Sequence, residues 1–77
     1  MKETSIKFAT KSPYTDRIHD EFIRLLGEGE INIKHLHAGF KQFIAANELP
    51  LVAVMGRGNL YIANAGRTIV IAEIRIR

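Results

Sequence analysis

The 77 residues contain no cysteine and no tryptophan, only two prolines, and 8% aromatic side chains. Without cysteine no disulfide can staple the fold, and no residue set resembles a structural metal site. Stability must therefore come from packing or from self-association. The chain has no stretch of about 18 consecutive apolar residues, so no membrane span is expected, and its start, "MKETSIKFATKSPYTD", lacks the apolar run of a signal peptide. These absences suit a soluble, cytoplasmic protein. The composition, 47% apolar and 25% charged, is that of an ordinary globular chain of one domain spanning residues 1–77.

Charge is unevenly placed. The formal net charge is +3. Lys2, Lys7 and Lys11 oppose only Glu3 at the start, and Arg57, Arg67, Arg75 and Arg77 oppose only Glu73 after residue 50, whereas the middle carries six carboxylates against four cations. If both ends lie in one sheet, that sheet is the basic part of the molecule.

Periodicity supplies the elements. "TSIKFATK" alternates as a half-buried strand, with Ile6 and Phe8 on one side and Lys7 and Lys11 on the other. "SPYTDRIHDEFIRLLG" reads as a helix with Ser12 as cap, Pro13 in the first turn and Gly27 as the stop. Tyr14, Ile18, Phe22 and Leu25 form its stripe, which Ile23 and Leu26 widen. Asn32 is placed to cap a second helix, "IKHLHAGFKQFIAANE", with Ile33, Leu36, Phe40 and Phe43 as its stripe. Gly39 lies beside that stripe and costs about 1 kcal/mol relative to alanine, so the close approach of another backbone is expected there. Three strands follow, "LVAVM", "NLYIA" and "RTIVIAEIRIR", divided by the glycine turns "GRG" and "NAG". The expectation is an α+β fold of order β-α-α-β-β-β, two helices on one face of a small, mainly antiparallel sheet of three or four strands. The pairing of the first strand is left open.

Chemistry is sparse. "GRGN" precedes a strand, not a helix, so it reads as a hairpin turn with Arg57 at its tip and not as a phosphate loop. His35 and His37 are two apart on a helix and diverge by roughly 200°, too far to share one ion. His19 has only ordinary helix-surface partners. Neither serine has an evident base, and Asp20 with Glu21, like Glu28 with Glu30, reads as solvated surface. Neither an enzyme nor a cofactor or metal is expected.

What remains is the outer sheet face. Strict alternation along the last strand turns Val70, Ala72, Ile74 and Ile76 inward and Ile69, Ile71, Glu73, Arg75 and Arg77 outward. With Tyr61 they form an apolar centre rimmed by arginine, which suits a protein interface. The expected function is that of a small non-enzymatic regulator or inhibitor acting through protein contacts at Tyr61, Ile69, Ile71, Arg75 and Arg77. The alternative is nucleic-acid binding by the cations Lys7, Lys11, Arg57 and Arg67, through the basic sheet face or the hairpin tip. A third reading, DNA recognition by the second helix, is weakened by a long glutamate-rich connector and only two cations, Lys34 and Lys41. The same patch suits a homodimer, in which the C-terminal strand, if it lies at an edge, extends the sheet across a two-fold axis.

Overall fold

The computed structural model describes residues 4–29, 32–66 and 69–76. Elements follow in the order β1 (Thr4–Phe8), α1 (Thr15–Leu26), α2 (Ile33–Ala46), β2 (Leu51–Gly56), β3 (Asn59–Asn64) and β4 (Val70–Ile76). The strands form one antiparallel sheet ordered β1-β4-β3-β2, with both helices packed on one face. The fold is the expected α+β arrangement with four strands, and β1 pairs with β4. The C-terminal strand is consequently interior and has no free edge, which removes the expected route to a dimer through it. Neither helix is long and apolar enough to cross a membrane.

The core lies between helices and sheet. Ile18, Phe22 and Leu25 of α1 and Leu36 and Phe40 of α2 meet Leu51, Leu60, Ile62, Ile71, Ala72 and Ile74 from the sheet. Ile23, counted on the apolar arc of α1, is 51% exposed and lies outside this core. Gly39 is explained by a side chain, not by a backbone. A β-carbon at this position would lie 2.5 Å from Leu25 Cδ2 and 3.0 Å from its Cδ1, so the missing methyl is what lets α1 and α2 close on each other.

Helix ends follow local hydrogen bonding, with one correction. Asn32 caps α2 as expected, its Oδ1 accepting from the His35 N–H at 2.8 Å. Ser12, by contrast, caps no helix. Its hydroxyl accepts from the Tyr14 N–H at 3.0 Å while its own N–H donates to Thr15 Oγ1, a tight turn that delays α1 until Thr15. Serine side chains compete with helical bonding in this manner. Beyond α2, Leu49 N–H reaches the Ile44 carbonyl and Glu48 N–H the Ala45 carbonyl, with Glu48 at φ 51°, the paired bonds that reverse a chain after a helix.

Glu21 also departs from expectation. It is buried, and its carboxylate is held bidentately by Arg24 Nε at 2.9 Å and Nη2 at 2.5 Å. A fork of this kind satisfies a buried carboxylate that would otherwise carry the cost of its desolvation. Arg24 further reaches Glu28 at 3.1 Å, and Glu28 accepts from His35 Nε2 at 2.9 Å, which ties the end of α1 to the first turn of α2.

That tie gives a pH dependence. The hydrogen bond from His35, aided by the Arg24 charge and opposed by desolvation, holds the Glu28 carboxyl below its ordinary 4.5. A folded value below the unfolded one means stabilisation that is fully present above pH 4.5 and lost as pH falls through the folded value. Chemical denaturation of wild type and Glu28→Gln across pH should show wild type more stable near neutrality, with the difference shrinking to nothing in acid. A difference constant down to pH 2 to 3 would show that the Glu28 carboxylate is not its source.

Candidate interaction surface on the outer sheet face

The face away from the helices is fixed by register. Tyr61 pairs with Val54 on one side and Glu73 on the other, and Glu73 pairs with Lys7. One row across the sheet therefore reads Lys7, Glu73, Tyr61, Val54. A second reads Val70, Ala63, Val52, since Ala63 pairs with both.

Between these rows the sheet carries a bulge. Ile62 pairs with Ala72, but the next residue, Ala63, pairs with Val70, leaving Ile71 without a partner on β3. An extra residue in one strand reverses the alternation on its far side. Val70 and Ile71 thus exchange the faces that strict alternation gave them. Ile71 is wholly buried in the core, and Val70 sits opposite Ala63 on the outer side. Ile71 must be withdrawn from the proposed contact residues. Its carbonyl is used as well, accepting the Ala9 N–H at 2.9 Å.

Beyond the bulge the expected faces hold. Tyr61, Glu73 and Arg75 lie outward, and Arg77 falls outside the described residues. On the other side of the bulge the reversal also moves Ile69, which is 44% exposed but lies opposite Asn64, donor to its carbonyl and partner of the core residue Leu51, so Ile69 is withdrawn from the outer face as well. Val52 and Val54, at 39% and 49% exposure, complete an apolar strip that the sequence reading missed. A signal for them existed. Arg57 and Gly58 have φ of 52° and 80°, the pair of positive values that defines a two-residue hairpin turn, and a turn of that length in "GRGN" sets Val54 opposite Tyr61. If Tyr61 faces out, Val54 must too. Gly56 leaves room for this aromatic: a β-carbon there would lie 3.3 Å from Tyr61 Cε2.

The other half of the face is polar. Ser5, Lys7, Glu73 and Arg75 line a shallow recess of about 240 Å³. Glu73 accepts from Arg75 Nε and from Asn59 Nδ2, each at 3.2 Å, so a carboxylate sits among the cations and offsets part of their charge. The remaining predicted cations do not converge here. By the register, Arg57 at the hairpin tip lies at the same end of the sheet as Arg75, whereas Lys11, following β1, lies toward the opposite end. Arg67 falls outside the described residues.

His35 and His37 have separate partners. His35 meets Glu28 and His37 Nε2 meets the Ala53 carbonyl at 3.1 Å. Among the described residues no cluster of three or more histidine or carboxylate side chains is placed to hold a metal ion. Comparison of the chain with known protein families, with curated proteins and with solved structures found no match.

Proposed function

We propose that the chain is a non-enzymatic binding protein that regulates or inhibits a protein partner docked on its outer sheet face. The observation that carries this reading is the apolar strip of Val52, Val54, Tyr61 and Val70, which neither α1 nor α2 covers and which borders Lys7 and Arg75. An apolar and aromatic centre with a cationic rim is the composition of protein interfaces. Tyrosine supplies anchoring area at low entropic cost, and Arg75, oriented by Glu73, presents its remaining donors to an acidic rim on the partner.

Affinity capture from the native host should retain a protein with the wild type and with Ile23→Asp, a control on exposed α1 surface. Tyr61→Lys and Val70→Asp should each lose that protein at least tenfold, a difference of about 1.4 kcal/mol. Equal retention by all four forms would remove the outer face from the binding role. Binding of single-stranded nucleic acid that weakens steeply with salt would replace this reading with the alternative, because phosphate neutralisation by cations carries such a slope.

A further inference from the structure

We propose that β2 is a self-pairing edge, joining two copies of this chain antiparallel about a two-fold axis at Ala53 into one eight-stranded sheet. The inference shares Val52 and Val54 with the proposed binding face, and the test below separates the two.

The free backbone groups can be assigned. The Pro50 carbonyl accepts the Ala65 N–H at 3.0 Å, so it points toward β3. Successive residues of a strand point their backbone groups alternately to the two sides. Val52, Val54 and Gly56 therefore bond β3, and the N–H and C=O groups of Leu51, Ala53 and Met55 point away from it. The His37 contact to the Ala53 carbonyl is consistent with that parity, and a carbonyl oxygen has a second acceptor site.

This edge is weakly protected. Sheet edges are usually blunted by charge, internal proline, a bulge or a covering element. Leu51–Gly56 has none of the first three, its register with β3 is unbroken, and α2 reaches it through His37 at the Ala53 carbonyl. The opposite edge, β1, carries the exposed Lys7.

A second copy fits the edge in three respects. Pairing centred on Ala53 matches Leu51 with the partner's Met55, so the unpaired donors and acceptors satisfy one another. It also sets each exposed Val52 against the partner's Val54, two valine pairs that shield each other from water. On the helix side, a groove of about 240 Å³ between α2 and β2 is lined by Lys41, Ile44, Ala45, Leu51, Val52 and Ala53, and the two-fold axis brings two such grooves together.

Area agrees, while charge is mixed. Lys34 lies in the first turn of α2 and Glu48 just beyond its end, and a two-fold axis that sets these unlike ends side by side also brings the Lys41 of the two grooves toward each other. A stable interface needs about 800 Å² per partner, roughly a sixth of the 5131 Å² that the chain exposes. Strand and helix are each about 20 Å long, so a contact spanning both reaches that order, whereas the strand edge alone does not.

Sedimentation velocity over a concentration series tests the assignment. Wild type, 8.7 kDa per chain, should pass from monomer to dimer as concentration rises. Ala53→Pro should stay monomeric yet folded, because the N–H it removes points away from β3. Val52→Lys/Val54→Lys and Val52→Glu/Val54→Glu should each be monomeric, while an equal mixture should restore the dimer through lysine–glutamate pairs. Circular dichroism should show each variant folded. A wild type monomeric throughout, dimers of undiminished strength in the charge variants, or a mixture that stays monomeric would overturn the proposal. Tyr61→Lys and Val70→Asp should dimerise as wild type does, which separates this edge from the rest of the partner-binding face.

Discussion

Ile71→Asp is expected to abolish the folded state, and Val70→Asp to leave it nearly untouched. Ile71 has no exposed surface and belongs to the core cluster, whereas Val70 faces outward beside Ala63. Truncating a buried isoleucine to alanine costs about 2–5 kcal/mol from lost transfer free energy and the cavity left behind. An aspartate adds an unpaired carboxylate in an apolar site, which costs several kcal/mol more or forces the group to stay protonated. A domain of this size has roughly 4–12 kcal/mol of stability to lose. Ile71→Ala should therefore lower the melting temperature by roughly 10 °C or more, and Ile71→Asp should show no cooperative transition. Val70→Asp should stay within about 1 kcal/mol of wild type, as surface substitutions do. The reverse pattern, with Val70→Asp unfolding the protein and Ile71→Asp tolerated, would mean that β4 alternates regularly and that the bulge is absent.

Gly39 provides the second large effect, and its sign depends on Leu25. Alanine normally gains about 1 kcal/mol over glycine inside a helix. At Gly39 the added methyl meets a leucine that is itself buried, so the isobutyl group must leave its place in the core. Overpacking of this kind costs about 1–3 kcal/mol, and Gly39→Ala should be destabilising by about 1 kcal/mol net. Gly39→Leu, with three further carbons, should lose about 3 kcal/mol or more. In a Leu25→Ala background, itself costing about 3 kcal/mol, the obstruction is gone and Gly39→Ala should become stabilising by about 1 kcal/mol. Denaturant unfolding of the four proteins gives the coupling directly. If alanine stabilises equally in both backgrounds, Leu25 is not what excludes a side chain at position 39.

Much of this fold was legible because its determinants are local. The i, i+3, i+4 spacing of Ile18, Phe22 and Leu25, the cap at Asn32 and the short turn at Arg57-Gly58 each act within a few residues and need no tertiary context. Features decided across the molecule were not legible. The bulge at Ile71 contains no glycine and leaves no mark in an apolar run whose residues suit either face. Its effect was to put two isoleucines, Ile69 and Ile71, on the wrong face. The pairing of β1 with β4 joins residues some 70 apart, and nothing in an alternating strand names its partner. Glu21 reads as helix surface because charge alone is visible in sequence, while the fork from Arg24 that permits its burial is not. The candidate surface was half legible for the same reason. Tyr61 and Arg75 follow from alternation within one strand, but Val52 and Val54 required the register across a hairpin.

Site-specific photocrosslinking in the native host tests the binding face most directly. A photoreactive side chain at position 61, in the middle of the outer face, should give one discrete adduct, and the same group at position 23 on the exposed side of α1 should give none. An adduct formed from position 23 and absent from 61 would place the partner on the helices and contradict the binding role assigned to the sheet.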